Sequence, residues 1–308
     1  MLFVLGALFP IFMLIALGYA LRQTLMPKYE QWNGIELLSY YVLFPALLID
    51  TLARADFTSV PVLGIGGALM LAVLVMSALC LALRPLLAKK WGVDGPAFSS
   101  LFQGATRWQT YIALAVSGNL LGDLGIALAS VAMVAMIPLL NILCVAILAR
   151  YASPRQLSLP AVIKAISGNP LTWACAVGLF INLIKIPIPA PVYDFSGALG
   201  RASLATGLIT VGAGLNLKQL FRPTGIAMLS VILKLVAMPA IAIALAALFG
   251  LNSEGLIVVA CCTAIPTSPQ SYVLARQMGG DAPLIAQIIT LQTAFAAVTM
   301  PIALALVR

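Results

Sequence analysis

The sequence predicts an all-α integral membrane protein, with ten transmembrane helices in two inverted five-helix repeats. Three observations predict it. The composition suits lipid as solvent, the cations between apolar runs fall mostly on alternate connections, and segments of the first half recur about 160 positions later.

Hydrophobic residues make up 62% of the 308-residue chain and charged residues 8%. A soluble domain carries about 25% charged residues, because its surface must face water. The length accommodates about ten crossings of roughly 20 apolar residues each. The net charge is +8. Its cations stand singly between apolar runs, with no aromatic-interleaved patch, which argues against a nucleic-acid partner and for positively charged cytoplasmic loops. Cys80, Cys144, Cys175, Cys261 and Cys262 lie inside apolar runs without metal-ligand spacing and read as small core residues. The chain has no histidine. That removes the usual zinc sites and imidazole acid–base chemistry, and no metal, cofactor or catalytic residue is expected.

Apolar runs place the helices at about 2–21, 33–53, 61–86, 97–118, 124–148, 169–184, 195–216, 222–249, 254–276 and 282–306. A secretory signal opens on a positive segment, but no Lys or Arg precedes Arg22, so the first run reads as a retained helix. The sixth helix is short, and Leu159–Ser167 before it is expected along the membrane surface. The division is a first repeat at 1–150, a connecting and interfacial segment at 151–168, and a second repeat at 169–308.

Odd-numbered connections carry eleven cations: Arg22, Lys28, Arg84, Lys89, Lys90, Arg150, Arg155, Lys164, Lys218, Arg222 and Arg276. The opposite side carries three, Arg54, Lys185 and Arg308. Lys and Arg concentrate in cytoplasmic loops, so both termini are expected outside the cytoplasm, in a protein of the cytoplasmic membrane.

The repeat is read from matched segments in order. PIFMLIALGYAL from Pro10 aligns with PLTWACAVGLFI from Pro170, matching Ala16 with Ala176 and Gly18 with Gly178 at an offset of 160. PALLI from Pro45 aligns with ATGLI from Ala205 at the same offset. Gly64-Ile65 aligns with Gly225-Ile226, and QTYI from Gln109 with QSYV from Gln270, at 161. Five helices per repeat is an odd number, so the second copy enters the membrane from the opposite side. Such inverted repeats are characteristic of secondary transporters that bind substrate near the midplane at discontinuous helices.

The ninth helix holds Pro266 and Pro269 at mid-membrane, where proline removes a backbone donor and crowds the preceding turn. Ser268 then reads as an N-cap and Pro269 as the first residue of a second half-helix. The break is expected near Thr267–Ser268, exposing polar backbone that protein, water or ligand must satisfy. A kink serving packing alone is the alternative. The fourth helix is polar at the matching depth, through Gly104, Thr106, Arg107, Gln109 and Thr110. Repeat symmetry brings Gln109 and Gln270 near one axis, where they contact substrate or bond across helices. Arg107 is a cation near the bilayer centre, either for substrate or as a cap on broken-helix carbonyls, and Lys234 is weighed in the same way. Arg201 is expected to snorkel, with Asp50 as a partner. Asn141, three residues after Pro138, binds ligand or a neighbouring helix.

YYVLFPALL in the second helix, RWQTYIALA in the fourth, the Asn169–Pro170 start, VGAGLNL, LKLVAMP and AIPTSPQSYVLARQMGGD together resemble the auxin efflux carrier family of bacterial permeases and plant PIN transporters. The last segment is the most specific. The resemblance implies a crossover of broken fourth and ninth helices. It also implies a scaffold of helices 1, 2, 6 and 7 beside a transport domain of helices 3–5 and 8–10. Family substrates are mostly organic anions, and bacterial members are often malonate permease-like. Gln109 stands where the family usually has Asn, and no proline marks the crossover in the fourth helix.

The expectation is therefore a non-enzymatic carrier of a small organic anion, working by alternating access. Its substrate-binding candidates are Arg107, Gln109, Thr110, Asn141, Lys234, Thr267, Ser268, Gln270 and Ser271, with Pro266 and Pro269 as helix breakers. The expected partners are the anion, membrane lipid and, as an open alternative, a second copy in a homodimer. A sodium-coupled symporter of the bile-acid type is a rival, ranked lower for want of intramembrane carboxylates near either crossover. A sensor or receptor without transport is the rival from another class.

Overall fold

The computed structural model describes residues 2–54, 62–152 and 170–307. The expected surface stretch Leu159–Ser167, Asn169, and the cations Arg155, Lys164 and Arg308 lie outside the described residues.

Every regular element among the described residues is helical. In chain order these are α1 (Leu2–Gln23), α2 (Tyr29–Leu38), α3 (Phe44–Arg54), α4 (Val62–Trp91), α5 (Gly95–Thr106), α6 (Thr110–Tyr151), α7 (Pro170–Ile184), α8 (Ala190–Ala213), α9 (Gly225–Ile232), α10 (Met238–Leu248), α11 (Ser253–Thr263), α12 (Gln270–Met278) and α13 (Ala282–Leu306). Among the described residues, 6 helical stretches are long and apolar enough to cross a membrane: Gly6–Gln23, Glu30–Arg54, Leu63–Trp91, Gly95–Tyr151, Gly225–Leu248 and Ala282–Leu306. Trp173–Ile184 and Ser253–Thr263 are shorter apolar helices.

Two of these stretches contain wide π turns, Ser39–Leu43 between α2 and α3 and Leu233–Ala237 between α9 and α10. In each, the residue after the turn donates five residues back, Phe44 to Ser39 and Met238 to Leu233. Pro45 and Pro239 come next. A proline offers no N–H and crowds the carbonyl of the preceding turn, so a widened turn just ahead of it relieves the clash.

The fourth and fifth expected helices share one element, α6, which departs from helical geometry at Gly122 (φ 62°, ψ −145°). A glycine reaches that conformation without a Cβ clash, so one residue replaces the loop expected over 119–123.

The chain divides into two compact units. The first comprises Met1–Val62, Tyr111–Val134 and Ser167–Leu215. Within it α1 packs on α8, and α3 on α7 and α8. A Cβ placed on Gly18 would run into the backbone of Ile209, while one on Gly178 would lie 3.1 Å from the Ile49 Cα. Gly18 with Gly178, and Ile49 with Ile209, are each separated by 160 positions. Asp50 pairs with Arg54 one turn on, at 3.1 Å, and accepts the Ser196 hydroxyl at 2.9 Å. This corrects the expected Asp50–Arg201 pair, because the helical i,i+4 neighbour reaches the carboxylate first.

The second unit comprises Leu63–Thr110, Ala135–Ile166 and Asn216–Arg308. Here α13 packs against α5, α9 and α12, and α10 against α11. Buried Gln287, Thr290, Gln292 and Thr293 give α13 polar side chains inside the unit. Gln287 accepts from the Thr224 hydroxyl at 2.8 Å and donates to the Arg222 carbonyl at 3.0 Å. Carboxylates start two helices: Asp94 accepts from the Ala97 N–H at 2.8 Å and Asp281 from the Leu284 N–H at 2.9 Å. All five cysteines are buried, and none is in a disulfide among the described residues.

Candidate functional site

Every candidate residue named from the sequence falls in the second unit. Two interrupted helices form its centre. The first interruption lies between α5 and α6. The Arg107 N–H closes α5 on the Gln103 carbonyl at 2.9 Å, and Arg107 and Gln109 are extended (ψ 159° and 98°). No proline stands there. Side chains from elsewhere in the unit partner the carbonyls at the break. In a continuous helix Gly104 would accept from the N–H of Trp108. Instead its carbonyl accepts from the Gln292 side-chain Nε2 at 3.0 Å. The Gln103 carbonyl accepts the Thr267 hydroxyl as well, at 3.1 Å.

The second interruption runs from α11 to α12. The last α11 bonds are Ala264 N–H to Ala260 at 2.9 Å and the Thr263 hydroxyl to Val259 at 2.7 Å. Pro266 and Pro269 flank the extended stretch, and α12 begins at Gln270 with Pro269 as its N-cap (φ −55°, ψ −27°). This shifts the expected start by one residue. Ser268 stands ahead of the cap, and its hydroxyl accepts from the Gln270 N–H at 3.3 Å. Ser271 and Tyr272 donate to the carbonyls of Ser268 and Pro269, at 3.0 and 2.9 Å. The N–H groups of Gln270, Ser271 and Tyr272 are therefore engaged within the turn. What remains is the helix dipole and the side chains.

The two interruptions meet. Thr267 bonds directly to Gln103 of α5, and its hydroxyl lies 3.3 Å from the Ser271 hydroxyl. Gln292 of α13 locks the meeting point: its Oε1 accepts the Thr267 N–H at 2.8 Å, and its Nε2 serves Gly104, the Ser230 carbonyl at 3.2 Å and the Ser230 hydroxyl at 3.1 Å. Gly104 admits this approach, since a Cβ there would collide with the Ser230 hydroxyl and Ile288. Gln292, Ser230 and Gln103 were missed from the sequence. The available signal was a glutamine within an apolar helix, in ITLQTAF and in SLFQG.

Arg107 is buried, and its Nη2 donates to the Asn141 Oδ1 at 3.3 Å. Two residues chosen separately from the sequence thus touch. The Arg107 Nη1, the Gln109 Nε2 and the Lys234 Nζ are buried without a hydrogen-bond partner among the described residues. Lys234 stands in the π turn at 0% exposure. Among the described residues no carboxylate pairs with either cation, and the one ion pair is Asp50–Arg54. Thr110 and Gln270 are half-buried at the starts of α6 and α12, whereas Ser271 is fully buried. Among the described residues the Gln109 Nε2 does not bond to Gln270, nor the Lys234 Nζ to Arg107. Chemically, the arrangement offers the Arg107 guanidinium, the Lys234 amine and several amides and hydroxyls. Among the described residues no group of three His, Cys, Asp or Glu side chains is placed to hold a metal.

Residues 152–304 match a family described as membrane transport protein. No curated protein matches the chain. The match and the apolar helices together indicate a multi-pass membrane protein similar to membrane transport proteins in general.

Proposed function

We propose that the chain is a secondary transporter that carries a small organic anion by alternating access, binding it where the two interrupted helices cross. The observation that carries this reading is that the buried Arg107 Nη1 and Lys234 Nζ lack a hydrogen-bond partner among the described residues. A buried cation is costly unless compensated, and an anion compensates it. Gln109, Thr110, Asn141, Thr267, Ser268, Gln270 and Ser271 supply hydrogen bonds around it. The residue resemblance to auxin efflux carriers supports the same substrate class.

Ten membrane helices in two inverted repeats belong to this proposal. The contacts of Gly18 with Ile209 and of Gly178 with Ile49 support it, because one offset of 160 exchanges the two pairs. The interruptions ahead of α6 and α12 support it too, with Gln109 and Gln270 separated by 161. The grouping of α1–α3, α7 and α8 in one unit, apart from α4, α5 and α9–α13, supports a scaffold and a transport domain, with 111–134 joining the former. The protein is placed in the cytoplasmic membrane with both termini outside, on the cation asymmetry. No enzymatic step is proposed.

Thermal-shift titration of the purified protein tests the site, since a ligand of the folded state raises its melting temperature. Short carboxylates are expected to stabilise it, and amines of equal size are not. Arg107→Gln is expected to remain folded and to lose the carboxylate effect. Equal stabilisation of both proteins would make Arg107 structural.

A further inference from the structure

Gln103 is 0% exposed, and neither its Nε2 nor its Oε1 has a hydrogen-bond partner among the described residues. Interiors avoid leaving both halves of an amide unpaired, because each half has lost its water. The position is specific. The backbone carbonyl of the same residue accepts from the Arg107 N–H at 2.9 Å and from the Thr267 hydroxyl at 3.1 Å. Gln103 therefore stands at the join of the two interruptions. Residues four apart on a helix share a face, so its side chain and that of Arg107 leave α5 on one side. The Arg107 Nη1 is unpartnered as well.

We propose that Gln103 is a specificity-determining residue that reads an uncharged polar group on the anion whose carboxylate Arg107 takes. The proposal rests on the anion-carrier reading of the site. A primary amide presents an NH2 donor and a carbonyl acceptor. A second carboxylate would satisfy only the donor, and an alkyl chain neither. A hydroxyl both accepts and donates, so it pairs with both halves. The substrate class is then a short hydroxy-carboxylate.

The test uses matched pairs of probes, lactate against propionate and malate against succinate, with affinities from thermal-shift titration of the full chain. The wild type is expected to bind the hydroxy member about three- to tenfold more tightly, the range of one or two net hydrogen bonds. Gln103→Met should bring the ratio close to one. A preserved ratio in Gln103→Met overturns the proposal. Where Gln103→Met does not fold, the wild-type ratio decides: a hydroxy preference supports the role of Gln103, and equal affinity within both pairs removes it while leaving the anion reading intact. If no carboxylate binds the wild type, the anion reading itself fails, and Gln103 with it.

Discussion

The backbone N–H of Thr267 donates to the side-chain Oε1 of Gln292 at 2.8 Å. That bond joins the second helix interruption to α13, while the other end of the same amide takes the Gly104 carbonyl beside the first. One side chain thus satisfies backbone groups freed at both interruptions. Gln292→Leu is expected to lower stability by about 2–4 kcal/mol, because a buried donor and buried acceptors lose their partner at once. Gln292→Asn keeps both functions of the amide on a shorter chain and should fall between. Melting curves in detergent measure both, and a Gln292→Leu protein as stable as wild type would contradict the role of the clamp.

The Gly18–Ile209 contact gives a second prediction. Gly18→Ala puts a methyl group into the Ile209 backbone, and the helices must part to admit it. Forced overpacking costs about 1–3 kcal/mol. Gly6, on the same helix, has nothing within 4 Å of an added Cβ, so Gly6→Ala should be neutral or slightly stabilising. Melting temperatures of the two variants provide the comparison. Equal temperatures would mean that α1 and α8 do not meet at Gly18.

Topology yields a third. Loop cations favour the cytoplasmic side, so a reporter fused after Arg308 should be active only if it folds outside the cytoplasm. Fusions in the Lys89–Lys90 connection should show the reverse. Cytoplasmic reporter activity at the C-terminus would invert the assignment.

Much of the helical pattern was legible because apolar length and proline act locally. Pro266 and Pro269 marked the second interruption, and the run from Arg107 to Thr110 marked the first as polar. Asn141 was legible as a polar residue in an apolar helix, but not as the partner of Arg107, since the two stand 34 positions apart. No proline marks the interruption between α5 and α6. Its carbonyls are partnered by Gln292 and Thr267, which lie 188 and 164 positions from the residues they bond. These bonds are tertiary, and no spacing within the fourth helix could reveal them. The engaged N–H groups of Gln270, Ser271 and Tyr272 were illegible for a related reason. A half-helix start reads as a source of free donors until Ser268 and Pro269 are seen to close the turn upon themselves.

The central claim is that this protein moves an organic anion past Arg107. Counterflow of radiolabelled short carboxylates into proteoliposomes tests it most directly, with the wild type and Arg107→Gln side by side. The wild type should exchange at least one carboxylate, and Arg107→Gln should weaken its apparent affinity by about tenfold or more, the loss of one charge-assisted contact. Absence of carboxylate exchange by folded wild-type protein, or unchanged affinity in Arg107→Gln, would contradict it.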